Sequence, residues 1–324
     1  MSTVPDGLYQ YGGVPVGGRE ALGMGKVFFV IQTTAYLYNK PFHTDKLGAY
    51  ADGKDRVYNT IQGALNACTS LNNDYVVLVP DHLGYTITST LSFGYKMNVK
   101  LLCPAAYSGY DIGCNRLAPI TMSTANAPVV TMTGHHCEIA GLTFVNAAST
   151  TGSGSAISAA ASTGYYSNIH HNLFEMYTSG ATNTPIIGNA TSGLTWSRIH
   201  HNKFIAYSGA STTIAAIINL AANATGLDVD YNYISIGDGM TVTSGITNLS
   251  VKGSVKFNTF NAAQAQGGSS AGAFGAAITS APAVAVIGNR VAGATGTGLA
   301  GGTANYNYVD NRDAQAGGET AIET

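Results

Sequence analysis

Charge is scarce in this sequence. Only 10% of its 324 residues are Asp, Glu, Lys or Arg, against roughly 25% in ordinary globular domains. The formal net charge is −2 and no basic patch stands out, so nucleic-acid binding has no electrostatic footing. No apolar run approaches the ~18 residues a membrane span requires. The opening MSTVPDGLYQ lacks a charged stretch followed by an apolar one, so no secretion signal is expected and folding in a cytoplasm is. Four cysteines, Cys68, Cys103, Cys114 and Cys137, show neither CxxC nor Cys/His zinc spacing and are expected as buried thiols. A Cys103–Cys114 bridge after release into an oxidising medium is the alternative. Acids are rarest where enzymes would need them. Between 112 and 309 only Glu138, Glu175, Asp228, Asp230 and Asp238 occur, with no adjacent pair and no calcium-type cluster.

What the chain has instead is small residues and regular apolar clusters. Gly numbers 40, and Ala, Ser, Thr and Asn fill the second half, yet 45% of residues are hydrophobic, which argues against disorder. Residues 1–24 read as an arm rich in Gly and Pro with no periodicity. Leu8, Tyr9, Tyr11, Val14 and Val16 are costly to leave exposed, so they are the candidate docking residues of that arm. KVFFVI (26–31) reads as a strand. RVYNTIQGALNACTSL (56–71) reads as a helix, because Val57, Ile61, Leu65 and Cys68 fall on one face. YVVLVP, ITSTLSF and MNVKLLCP (75–80, 87–93, 97–104) read as strands.

Beyond about residue 129 an internal repeat takes over. NIHHNLF (168–174), RIHHNKF (198–204), DVDYNYI (228–234), SVKFNTF (254–260) and AVIGNRV (285–291) share the pattern x-[IV]-x-x-N-x-[FIV], with EIAGLTF (138–144) as an earlier copy carrying Leu142 in place of Asn. From Leu142 through Asn172, Asn202, Asn232, Asn258 and Asn289 the gaps are 30, 30, 30, 26 and 31. A second apolar element, Val129-Val130, Ile157, Ile186-Ile187, Ile217-Ile218 or Ile278, precedes most copies. Units this short cannot bury a face alone, so they must stack, and identical positions then form columns ~4.8 Å apart. The Ile/Val and Phe/Ile/Val columns are expected inside. The Asn column is expected at a bend, bonding its own backbone and the Asn of the next coil. Surplus residues are expected as loops near 146–155, 178–184, 207–213 and 262–275. The expected fold class is all-β: a right-handed parallel β-helix, the usual hand for parallel crossovers, over 25–310. The helix at 56–71 would cap it, an arm would occupy 1–24, and a C-terminal tail 311–324.

Few residues in this frame can carry chemistry. Two positions before each key Asn stand His170, His200, Asp230 and Lys256, which would point outward in register. The set His170, His200 and Asp230 could hold a metal or a base poised near neutral pH, or it is a solvated ladder left by repeat duplication. Beside it, Asn168, Arg198 and Asp228 read as a surface ladder with one ion pair, and His171, His201 and Tyr231 as stacked rings. His135-His136 lie outside this register. Glu175 reads as solvated. If the chain cleaves sugars, Asp228, Asp230 and Glu175 are the acids left to do it. Stacking on sugars would call for aromatics along a groove, and Trp196 is the only Trp.

The run RVYNTIQGALNACTSLNNDYVVLVPDHLGYTITSTLSF, then MNVKLLCP, together with the later I-x-x-N-x-F copies, resembles pectate-lyase-like β-helix proteins over about 26–310. The turn PDHLGYTI lacks the Thr-Tyr-x-Glu of many relatives. The short Gly/Tyr arm and the GKVFFV strand are closer to bacteriophage-encoded members. That resemblance implies a non-enzymatic viral structural protein on the virion, a capsid decoration or cement or fibre-like protein. It would be attached to other virion proteins through the arm and would need no cofactor. The other role it implies is a tailspike-like protein that binds or degrades host polysaccharide. It further implies a homotrimer, and the small, uncharged stretches 215–226 and 267–281 would suit side-by-side packing.

Overall fold

The computed structural model describes residues 25–32, 56–80, 83–103, 118–124, 127–146, 154–178, 185–189, 192–208, 212–237, 240–262 and 272–292. It describes the backbone alone of 9–11, 14–16, 308–309, 311–315 and 318–322. The chain is a parallel β-solenoid with three long sheets of 7, 11 and 10 strands, here sheets I, II and III. A coil visits them in that order, as in Ile157–Ala159, Asn168–His170 and Leu173–Thr178. The next coil repeats this with Ile187–Asn189, Arg198–His200 and Lys203–Ser208. Register follows the sequence repeat: Ile139 pairs with Ile169, Ile169 with Ile199, Ile199 with Val229 and Val229 with Val255.

Three columns, one per sheet, run through the interior. Val130, Ile157, Ile187, Ile218, Ile246 and Ile278 come from sheet I, and Ile139 through Val286 from sheet II. Phe144, Phe174, Phe204, Ile234 and Phe260 come from sheet III. All are buried, at roughly 1.5–3 kcal/mol for each large side chain. The Phe rings stack face to face at 5.0 and 4.7 Å. On the outside of sheet II the first strands are apolar as well. Val27, Phe29, Tyr75, Val77, Leu102 and Ala140 form a second buried cluster there.

The bend between sheets II and III is held by the Asn column. Asn172 Nδ2 donates to the Ile139 carbonyl and to Asn202 Oδ1, both at 3.0 Å. The Asn172 backbone N–H donates to Asn202 Oδ1 at 3.1 Å, and Asn172 Oδ1 accepts from Leu142 N. Asn202, Asn232 and Asn258 repeat the pattern. The amide thus bonds the backbone of the preceding coil. A bond to the amide's own neighbourhood, the expectation from sequence, occurs at Asn289, whose Nδ2 also reaches Ile287 O.

Several expectations need correction. The helix covers only Ile61–Ala67, capped by the Thr60 side chain on Gly63 N. Val57–Tyr58 is instead a strand paired with Phe29–Val30. The helix stops early because Lys96 Nζ takes the carbonyls of Leu65 and Asn66, and buried Asp74 takes the N–H of Thr69. The single strand expected at 87–93 is two, Tyr85–Ile87 in sheet III and Leu91–Ser92 in sheet I. Tyr9–Tyr11 and Val14–Val16 pair antiparallel, so the arm carries regular structure. Leu8 and the side chains of Tyr9, Tyr11, Val14 and Val16 lie outside the described residues. Asn311–Gln315 pairs with sheet III and Gly318–Ile322 folds back on it antiparallel, so residues assigned to a tail contribute strands. The expected loops fall mostly outside the described residues, but strands Thr212–Leu220 and Ala273–Ser280 reach into two of them.

Candidate binding face

The outer column of sheet I runs Ser92, Thr131, Ser158, Gly188, Asn219, Thr247 and Thr279, with no ionisable group. Sheet II is different. Register places Lys100, Glu138, Asn168, Arg198, Asp228 and Ser254 in one outer column. His170, His200, Asp230 and Lys256 follow Ala140 in the next.

The two columns are cross-linked on a diagonal, with His170, His200 and Asp230 each reaching one coil back. His170 Nε2 meets Glu138 Oε1 at 2.9 Å, His200 Nε2 meets Asn168 Oδ1 at 2.7 Å, and Asp230 Oδ2 accepts from Arg198 at 3.2 Å. The ion pair is therefore Arg198–Asp230, not Arg198–Asp228 within one column. Asp228 instead accepts from Ser254 Oγ, which also reaches Asp230. His170 and Asp230 are buried despite facing outward, so this ladder is much less solvated than the sequence suggests.

Electrostatics follow from that burial. Burial works against the ionised Glu138, but its bond to His170 and the Lys100 ammonium 3.6 Å away outweigh it and hold the carboxyl below its usual range. Burial raises the Asp230 carboxyl above its ordinary value, and Arg198 offsets only part of this. Ionised Glu138 can only accept, so His170 donates from Nε2; in the neutral ring Nδ1 then accepts from His171 Nδ1 at 2.8 Å. His200 and His201 repeat this at 2.8 Å. The paired rings stack across coils at 4.9 and 5.1 Å. Burial, then the neighbouring His170, push His171 down to about 4 and His200 down to about 3.

Two files of aromatic residues border this face. One follows the strands: His171, His201, Tyr231 and Phe257 stack in turn at 5.1, 5.0 and 5.0 Å. The stacked rings expected at His171, His201 and Tyr231 are present, and Phe257 extends them. The other precedes the strands: His136 stacks on Tyr166 at 4.7 Å, and Trp196 holds the same position one coil on. Every member of both files has φ between 53° and 57°, a left-handed bend that bulky residues seldom adopt. A glycine closes each file. A Cβ at Gly226 would meet the Trp196 ring, and one at Gly288 would lie 2.6 Å from the Phe257 ring. The second file was missed from sequence because His135-His136 and Trp196 sit in turns outside the repeat motif. The signal available was an aromatic at 136, 166 and 196, 30 residues apart.

The remaining sequence candidates do not converge. Glu175 lies on sheet III between Val145 and Ile205 in register, two coils from Asp228 and Asp230 on sheet II. His170, His200 and Asp230 are in register but each is bound to a different partner. Among the described residues no group of three or more His, Cys, Asp or Glu is disposed to hold a metal. Cys68 and Cys137 are buried free thiols, raised by burial to about 12 and about 11. Cys103 is buried, while Cys114, and with it the Cys103–Cys114 bridge, lies outside the described residues. No helix among them is long and apolar enough to cross a membrane.

No family model, curated protein or solved structure matches this chain.

Proposed function

We propose that this chain is a non-enzymatic structural protein of a virus particle, a bacteriophage capsid decoration or fibre-like surface protein. One observation carries the non-enzymatic part. The carboxylates Glu138, Asp228 and Asp230 of sheet II each hold a partner: Glu138 has His170 and Lys100, Asp230 has Arg198, and Asp228 has Ser254. A hydrolase needs two carboxyls flanking a substrate bond, one of them free to move a proton, and Glu175 stands on another sheet from the Asp228–Asp230 pair. The virion assignment rests on the resemblance of the cap region and the Asn-containing repeats to pectate-lyase-like proteins of phages. Within this reading the chain is a homotrimer docked on other virion proteins through residues 1–24. The uncharged outer column of sheet I supports side-by-side packing at low desolvation cost.

A tailspike-like role in binding or cutting polysaccharide is the second reading, favoured by the exposed Tyr166, Trp196, Tyr231 and Phe257. The test is to incubate purified protein with host surface polysaccharide and follow reducing ends and polymer size. No change is expected. Depolymerisation that disappears in Asp228→Ala, Asp230→Ala or Glu175→Ala sinks the non-enzymatic reading. Light scattering checks the trimer, which a mass near 33.3 kDa at micromolar concentration rules out. Deleting residues 2–20 should leave the solenoid folded and abolish particle attachment.

A further inference from the structure

Two histidine pairs on sheet II share one arrangement. His170 and His171 are neighbours in the chain, yet their rings converge: the two Nδ1 atoms lie 2.8 Å apart and the ring planes stand at 84°. His200 and His201 repeat this at 2.8 Å and 86°. Successive side chains of a strand point to opposite faces. Here the left-handed bend at His171 and His201, φ 54° and 53°, brings the second ring back beside the first. The same bend recurs at Tyr231 and Phe257. The bend therefore belongs to the fold, and the facing nitrogens belong to these two coils.

The far nitrogen of each first ring is fixed. His170 Nε2 donates to Glu138 Oε1 at 2.9 Å, and His200 Nε2 meets Asn168 Oδ1 at 2.7 Å. A neutral imidazole whose Nε2–H is held by an oxygen presents a lone pair at Nδ1. Histidines that ligate metals are oriented in this way, by a carboxylate or carbonyl on the other nitrogen. The spacing of the Nδ1 atoms is informative too. Two nitrogens at right angles around an ion, with bonds of ~2.0 Å, lie ~2.8 Å apart, whereas a tetrahedral ion spreads them to ~3.3 Å. Among the described residues no third His, Cys, Asp or Glu joins either pair in a metal-holding group. The protein would thus supply two ligands and water the others, and the partly exposed His171 gives an ion its approach.

We propose that His170 and His171 chelate one square-planar Cu(II) ion through their Nδ1 atoms, with Glu138 as the positioning residue. Left to themselves the two rings share an N–H···N bond. On binding, His170 gives the ion its Nδ1 lone pair. His171 moves its proton from Nδ1 to Nε2 and gives its own, so both rings stay neutral. Nitrogen ligands favour Cu(II) over Ni(II) and Zn(II), and the short span works further against tetrahedral zinc. The pairs are stacked on each other at 4.9 and 5.1 Å, so divalent ions on both would repel and the second binds more weakly. The first ion goes to His170–His171, whose orienting group is a carboxylate. His200 is oriented by an amide and shares its strand face with the cationic Arg198. The site goes beyond the surface-protein reading and neither needs nor tests it.

The test titrates Cu(II), buffered by glycine, into the full chain at neutral pH, with equilibrium dialysis and electron paramagnetic resonance as readouts. One ion per chain should bind more tightly than any other, with a square-planar spectrum split by two imidazole nitrogens. His171→Asn, a residue that tolerates the left-handed bend, should weaken that ion about a hundredfold with an unchanged circular dichroism spectrum. Glu138→Gln should weaken it about tenfold, and His201→Asn should leave it in place. Zn(II) should bind about tenfold more weakly than Cu(II) or worse. A first ion held equally well by His171→Asn lies elsewhere, on the chain terminus or on His135-His136, and overturns the proposal. So does a spectrum of the unmodified protein showing a single nitrogen, which needs no variant to fold. Zinc held as tightly as copper, or no copper retained against glycine, overturns it as well.

Discussion

Two columns lie within a few residues of each other on the same coils and obey different rules. The inner one, Asn172 to Asn289, is five identical side chains, each nearly or fully removed from solvent. The outer one reads His170, His200, Asp230 and Lys256 and never settles on one residue type beyond two coils. Inside, each amide must satisfy groups on both neighbouring coils, and no other short side chain offers donor and acceptor in that geometry. Outside, a side chain needs only some partner one coil back, and Glu138, Asn168 and Arg198 are three different answers. The interior demands identity from coil to coil, and the surface demands only complementarity.

The largest test sets two adjacent residues against each other. Ile199→Asp buries an unpaired charge in the sheet II column and should cost more than about 4 kcal/mol or prevent folding. His200→Asp, one residue on, should stay within about 1 kcal/mol. Urea midpoints of the two variants check this, and equal losses would abolish the distinction. Next in size is Asn202→Ala. It strands the Asn172 N–H and Nδ2 donors and the Ile169 carbonyl, so a loss of about 3 kcal/mol is expected. A midpoint indistinguishable from wild type would mean that the amide column is dispensable.

This difference also decides what the sequence could reveal. The inner columns were legible because each coil repeats the same residue at a nearly constant gap, and that repetition is itself the packing requirement. The outer ladder was legible only as columns. That His170 would seek Glu138 thirty-two residues back, or Arg198 pass over Asp228 for Asp230, depends on diagonal reach across the sheet, which no linear pattern encodes. The Trp196 file kept the same 30-residue gap but changed identity from His136 to Tyr166 to Trp196, and it lies in turns ahead of the strand motif, so the motif did not capture it. At the cap, Ile61, Leu65 and Cys68 do face one core, but Val57 lies in a strand, and Thr60 as cap and the pull of Asp74 on Thr69 shortened the helix.

The pH response sharpens the comparison further, because His170, His171, His200 and His201 all lie outside the core columns. His171 and His200 titrate at about 4 and about 3 when folded against ~6.5 unfolded. A lowered histidine pKa favours the native state while the ring is neutral. That contribution is complete above about pH 6.5 and is lost as pH falls through 4 and then 3. Glu138, also lowered, acts in the same direction at the acid end. Stability should therefore fall by more than about 1 kcal/mol between pH 7 and pH 4. His171→Gln with His200→Gln should flatten that slope while leaving the Asn column untouched. An unchanged slope in the double variant would place the acid sensitivity elsewhere.

The smallest effect is expected at Asp230, and its sign is informative. Asp230 is buried and hydrogen-bonded to Arg198, which by appearance makes it stabilising. Its carboxyl is nevertheless raised, by burial first and with the charge of Asp228 adding to it. A raised carboxyl pKa means that the native state prefers the protonated form. The associated stability is present below about pH 4 and is lost as pH rises through the folded value. At neutral pH the ionised Asp230 is therefore a net burden that Arg198, whose side chain is 54% exposed, only partly relieves. Asp230→Asn removes the charge and keeps the shape, so it should match wild type or exceed it by up to about 1 kcal/mol at pH 7. Relative to wild type, the variant should lose ground steadily toward pH 4. Urea midpoints at pH 4, 5.5 and 7 decide the matter. A variant clearly weaker than wild type at pH 7 would show that the Arg198–Asp230 pair outweighs the burial of its carboxylate, and the outer ladder would then be as exacting as the inner one.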